Sequence, residues 1–187
     1  MNENLVERKY VDAAVAAFAD KGFFGTTMND IADAAGVSQP RISQVFDGKE
    51  SAFLLAHAEA RAITLEGLQG VASKPFDPAR IGSAVLTLLQ KNRPAMLLVL
   101  HAATASSVPA IGAECRAVIG SIITLLIEEC GATPSEARDF LATGFLSMVL
   151  ASTEVFDHLD EHPGLGQLAR GMSELGSPAA RHPGGRS

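Results

Sequence analysis

The chain of 187 residues is short of cysteine, with two, and of aromatics, with nine Phe, one Tyr and no Trp. It is also short of positive charge, with 15 Lys and Arg against 21 Asp and Glu for a formal charge of −6. Two cysteines cannot build a disulfide framework, and Cys115 and Cys130 stand too far apart for a CxxC-type site. His57, His101, His158, His162 and His182 form neither HExxH nor any close cluster, so no metal and no cofactor are expected. A phosphate-cradling glycine loop and a nucleophile elbow are both missing, and the chain does not read as an enzyme. Glu3, Glu7, Arg8 and Lys9 exclude a secretory leader in the first ten residues, so a soluble, cytoplasmic protein is expected. Net acidity excludes indiscriminate coating of nucleic acid while leaving room for a small local DNA-reading face. No membrane span is expected: Phe140 to Phe156 is near the lower length limit and contains Glu154, and Met96 to Ile111 is interrupted by His101 and Pro109.

What remains is helix-forming. Apolar residues make up 47% of the chain, Ala and Leu are plentiful, and β-branched runs are few, so the fold class is all-α. From Leu5 to Lys21, Val6, Tyr10, Ala14 and Phe18 recur every four residues, and Gly22 stands where a helix often ends left-handed. Thr27 is placed to cap a second helix with Asp30 three residues on, and Gly36 to end it. Ser38 is expected to cap a third helix over about 39–46, and Asp47 a long fourth helix running to about Gly70. Further helices fit 78–91, 93–106, 109–130, 134–158 and 163–175, each opened by a proline in its first turn. The expected organisation is a helix-turn-helix domain over 1–48, a helical ligand-binding and dimerisation domain over 49–175, and a disordered tail over 176–187 that is rich in Gly and Pro.

Helix, helix, a tight Gly36-Val37-Ser38 turn and a short helix make a unit of the kind whose last member enters a major groove, and three-helix units of this size also occur in proteins that never touch DNA. That helix offers Gln39, Arg41, Ser43 and Gln44 to base edges: Arg pairs with guanine acceptors, Gln with adenine, Ser with either. Thr26, Thr27 and Lys49 flank it and suit phosphate contacts, which fix register without reading sequence. Residues 1–55 nevertheless hold five basic and eight acidic side chains, a net −3. Since phosphate neutralisation supplies non-specific affinity, random DNA should be bound weakly, and a twofold dimer is needed to multiply base contacts.

The run from Val11 through Phe18 to Lys21-Gly22-Phe23, then Thr26-Thr27, Ile31-Ala32, Ala35-Gly36-Val37-Ser38, and then Phe46 and Lys49-Glu50, resembles the DNA-binding domain of the TetR family of transcriptional regulators over roughly residues 6–55. The resemblance implies an all-helical homodimer with an N-terminal DNA-reading domain and a larger C-terminal domain for ligand and dimerisation. Such proteins usually repress from palindromic operators and leave DNA when a small molecule binds. The resemblance gives Thr27 and Lys49 phosphate-contacting roles and places Arg41 and Gln44 at base-facing positions. The chain departs from the family pattern at Ser43, where tyrosine is usual, and at Pro40, where glycine is common. Both departures bear on operator sequence and affinity more than on the docking mode.

In the second half, Phe140, Leu141, Phe145, Leu146, Met148, Val149 and Phe156 are apolar on more than one helix face, as in a helix buried by its own domain on one side and by a partner on the other. Phe145, Met148, Val149 and Phe156 are the interface candidates on that reading; a central core helix is the alternative. The family implies a ligand pocket among the fourth to eighth helices, with Phe76, Met96, Leu100, His101, Thr104, Cys115, Phe145 and Met148 as candidate lining. The same residues at the same spacing also describe an ordinary core. A pocket so lined takes an apolar or aromatic ligand with few polar groups, oriented by His101 and Thr104. Two other functions stay open: a helical dimeric interaction module that has lost DNA recognition, and a transcriptional activator.

Overall fold

The computed structural model describes residues 3–175; the expected tail over 176–187 lies outside them. Among the described residues there are nine α-helices and no strand: α1 (Glu3–Gly25), α2 (Met28–Ala35), α3 (Gln39–Val45), α4 (Gly48–Gln69), α5 (Pro78–Lys91), α6 (Arg93–Thr104), α7 (Pro109–Thr124), α8 (Pro134–Ser152) and α9 (Pro163–Leu175). A π-turn (Leu125–Glu129) extends α7, and a 3₁₀ turn (Val155–Asp157) follows α8.

The first three helices fold around a small core of Phe18, Ile31, Ile42 and Phe46, all essentially inaccessible to water. Phe53 from α4 joins it, edge-on to Phe18 at 5.0 Å and to Phe23 at 5.3 Å. Burying aromatic rings of this size fixes the entry of α4 against α1, and edge-to-face geometry adds about 1 kcal/mol per pair beyond area burial. The apolar core then continues without a break from this cluster to Met148 in α8, with α6 packed on both α1 and α4.

Local capping explains the start of α2. Thr27 accepts from the Asp30 amide at 3.2 Å while the Asp30 carboxylate accepts from the Thr27 amide at 2.7 Å, a reciprocal box that satisfies two free donors. Gly36 closes the helix at φ 64°, a left-handed conformation that costs glycine no Cβ clash.

The caps expected at Ser38 and Asp47 are not formed by their side chains. Pro40 removes the amide a Ser38 hydroxyl would meet in the first turn, and the next amide, Arg41, bonds the Ser38 carbonyl instead at 3.0 Å. Asp47 sits at ψ 67°, away from the extended conformation that aims a capping carboxylate at the helix amides. The first helix runs past Lys21 to Gly25, through a break at Gly22 with φ 65° and ψ 179°.

The helix expected over 134–158 stops at Ser152. Its end is made from outside: Arg93, opening α6, donates to the Ala151 carbonyl at 3.3 Å and lies 3.7 Å from the Glu154 carboxylate, with Glu154 left-handed at φ 55°. Phe156 therefore stands on the following turn and not on α8. Likewise α6 ends at Thr104 instead of 106. The segment long and apolar enough to cross a membrane is Pro109–Glu129, 21 residues with mean hydropathy 1.8, and not either of the two stretches weighed from sequence. It places Ile111, Val118, Ile122, Leu125 and Leu126 in the protein core, with 33% of its apolar window buried.

Candidate nucleic-acid interface

The α2-turn-α3 unit divides its side chains sharply. Ile42 is fully buried and Val45 half-buried, while Gln39, Pro40, Arg41, Ser43 and Gln44 are exposed on the other faces of α3. One helix therefore carries both a buried anchor and an exposed polar edge, because a seven-residue helix has only two turns to divide between them.

Arg41 is held in place. Its Nε donates to the Tyr10 hydroxyl at 3.2 Å, its guanidinium carbon lies 5.7 Å from the Tyr10 ring centroid, and its Nη1 donates to Gln44 Oε1 at 3.3 Å. Tyr10, on α1, is itself only 6% exposed. From the sequence, Tyr10 looked like one more member of an apolar stripe; its hydroxyl is the feature that periodicity cannot register.

The flanking residues differ from expectation in one case. Thr26 cannot be a phosphate contact: it is fully buried, and its hydroxyl donates to the Gly22 carbonyl at 2.7 Å and the Ala17 carbonyl at 3.2 Å. The break at Gly22 interrupts the regular helix and brings Thr26 back over α1, where its hydroxyl pins the bend. Thr27 is exposed, but its hydroxyl donates to Asp30 at 2.6 Å, and Asp30 also pairs with Lys21. Those bonds from Lys21 and Thr27 hold the Asp30 carboxyl well below the usual carboxylate range, so it stays charged. Lys49 is half-buried, its ammonium 4.7 Å from the Phe23 ring centroid, a cation–π seat that holds it at the opening of α4.

The residues expected to line a ligand pocket are dispersed. Phe76 packs edge-on to Phe140 at 6.1 Å, Met96 is buried with its sulfur 3.5 Å from the Thr64 hydroxyl, and Leu100, Cys115 and Phe145 are half-buried. Burial pushes the Cys115 thiol up, against activation as a nucleophile. Thr104 is exposed and donates to the His101 carbonyl at 2.8 Å. His101 turns towards the first domain, its Nε2 3.2 Å from the Ala19 carbonyl. Because a carbonyl only accepts, that contact sets the proton on Nε2. A cleft of about 520 Å³ between α1 and α6 is lined by His101 with Ala16, Ala19, Asp20, Arg93, Pro94, Leu97 and Ser152; none of the other seven pocket candidates lines it.

Among the interface candidates, Met148 is 6% exposed and faces its own core, so it is not available to a partner. Val149 is 43% and Phe156 51% exposed; Leu146, not singled out for this role, is 40% exposed on the same helix as Val149.

The α2-turn-α3 unit, with buried anchors and an exposed polar edge and docked on an all-helical body, has helix-turn-helix architecture. Residues 11–56 match the family described as bacterial regulatory proteins, tetR family. The match falls on the segment whose sequence resembles the DNA-binding domain of TetR-family transcriptional regulators. The fold of the whole chain agrees. It is similar to a TetR-like transcriptional regulator from Rhodococcus sp. RHA1 at 21% identity and TM-score 0.58, covering 82% of this chain and 83% of that one. It is also similar to GusR of Salmonella enterica at 17% identity and TM-score 0.67, covering 92% and 97%. A third neighbour is the fatty acid degradation regulator FadR from Bacillus halodurans, at 17% identity and TM-score 0.62, covering 97% and 100%. No curated protein sequence matches the chain.

Proposed function

We propose that this protein is a cytoplasmic, homodimeric transcriptional repressor that occupies a palindromic operator and is released by a small apolar or aromatic effector. The observation that carries this reading is the reading edge of α3: Gln39, Arg41, Ser43 and Gln44 lie exposed on a helix anchored by the fully buried Ile42. Arg41 is the guanine reader. Thr27 and Lys49 meet phosphates, and the α2 amides beside Thr27 add to them.

Two copies pair through the exposed Leu146 and Val149 on α8, with Phe145 and Phe156 beside them and α9 completing a four-helix contact. Pairing sets the two α3 helices on successive major grooves, about 34–36 Å apart. The effector binds within the helical body built from α4 to α8. It favours the arrangement whose α3 spacing no longer fits DNA, and by linkage the operator weakens the effector by the same factor.

Selection of the purified full chain against a random duplex library tests the reading. The expected result is a twofold-symmetric site bound more tightly than a scrambled duplex by about a thousandfold or more, the lower end of the specificity typical of specific DNA binding. Folded, dimeric protein that enriches nothing would refute it. The net −3 of residues 1–55 and the carboxylate of Asp30 beside Thr27 would then favour a helical interaction module.

A further inference from the structure

We infer that Tyr10 is a positioning residue for DNA reading, and that Tyr10, Arg41 and Gln44 act as one unit specifying a single guanine in each half-site; this rests on the DNA-binding reading above.

The geometry assigns the parts. Arginine has five N–H donors in a planar fork. Here Nε is taken by the Tyr10 hydroxyl and one Nη1 hydrogen by Gln44 Oε1. That leaves a second Nη1 hydrogen and both Nη2 hydrogens. A bidentate pair to guanine O6 and N7 needs one from each nitrogen, so the two anchors leave enough donors for the base. The anchors lie on different helices, α1 and α3, and the Tyr10 ring beneath the guanidinium adds a third constraint. An exposed arginine otherwise loses the freedom of its long side chain on binding, an entropic cost to recognition. Holding the plane before DNA arrives removes part of that cost, and it penalises any base that does not present two acceptors at that position.

Gln44 changes role on this account. Adenine recognition by glutamine uses the amide oxygen and nitrogen together, and here the oxygen is engaged with Arg41. Gln44 therefore steadies Arg41 and does not read a neighbouring adenine. Tyr10 is too deeply buried to touch DNA and acts only through Arg41.

The experiment is selection from a random duplex pool with the full-length wild type, Tyr10→Phe, Arg41→Ala and Gln44→Leu, with melting curves as a fold control. Tyr10→Phe keeps the ring and removes one hydroxyl, so the fold is retained. The wild type is expected to show one guanine per half-site. Arg41→Ala should make that position degenerate, and Tyr10→Phe should lower guanine preference there about fivefold, the worth of one hydrogen bond, with other positions unchanged. Gln44→Leu should relax the same position and no neighbour. A Tyr10→Phe profile identical to wild type, with the Arg41→Ala position degenerate, overturns the positioning role while leaving Arg41 as reader. Relaxation by Gln44→Leu at a separate adenine overturns the single-unit assignment. An Arg41→Ala profile unchanged from wild type, or no enrichment by the wild type, overturns the inference together with the reading beneath it.

Discussion

His57 on α4 is fully buried, stacked on Phe53 at 6.0 Å, and neither ring nitrogen has a hydrogen-bond partner within the described residues. Burying an unsatisfied polar group costs about 1–3 kcal/mol. His57→Leu removes both nitrogens, fills similar volume and forfeits the ring contact with Phe53, worth about 1 kcal/mol. The expected net is a gain of about 0–2 kcal/mol, or a midpoint raised by up to about 8 °C in thermal unfolding for a chain of this size. Acidity supplies a second readout. Burial, with Arg61 adding to it and Glu114 opposing it, lowers the proton affinity of His57 below the ordinary imidazole value of 6.5. The unfolded chain therefore takes up this proton at a higher pH than the folded one. The His57 contribution to stability is complete above about 6.5 and is lost as the pH falls towards the lower folded value. Unfolding of both proteins at equal concentration, at pH 7.5 and 5.5, should show the wild type losing more stability than His57→Leu across that interval. A variant less stable than wild type by about 1 kcal/mol at pH 7.5, or equal losses on acidification, would refute the orphaned-imidazole account.

Gly22→Ala places a methyl 3.3 Å from His101 Nδ1 at φ 65° and ψ 179°, a backbone region that is essentially glycine-only; a loss of about 1–3 kcal/mol is expected from that strain, and an unchanged denaturation midpoint would count against it. Lys49→Ala should lower the salt slope of DNA binding by about one per protomer, whereas Thr26→Val should leave the slope alone and cost about 1–2 kcal/mol of stability, because its hydroxyl serves buried carbonyls; equal slopes for Lys49→Ala and wild type would remove Lys49 from the phosphate contacts. Val149→Asp and Leu146→Asp should give folded monomers in sedimentation, and Met148→Asp should unfold the chain by burying a carboxylate; dimers persisting in both surface variants would place the interface elsewhere.

The DNA-reading unit was legible where its determinants are local. The capping box of Thr27 and Asp30, the left-handed Gly36 and the alternation of buried Ile42 with exposed Arg41 and Ser43 all rest on residues within four positions of one another. Reading failed where the partner came from elsewhere. Thr26 and Thr27 are adjacent threonines with equal claim to a phosphate, and only the bend at Gly22 decides that one is buried and the other exposed. Ser38 is a good cap by type, but Pro40 supplies no amide for it. Tyr10 and Arg41 are 31 residues apart, and nothing in either neighbourhood encodes their meeting.

The second half was harder for a related reason: apolar spacing states that a face is buried without stating against what. Phe145, Met148 and Val149 carry the same information in sequence, yet Met148 turns inward and Val149 outward. His101 stands out in sequence as a polar group in an apolar helix, but the group it meets lies 82 residues earlier in the chain. That contact also reassigns the helix. With Ala19 and Tyr10 both on α1, α6 is joined to the element that holds Arg41, in addition to its packing on α4. Close-packed helices do not slide past one another freely, so a displacement of α6 is expected to reach Tyr10 and Arg41 through α1 as well as through α4.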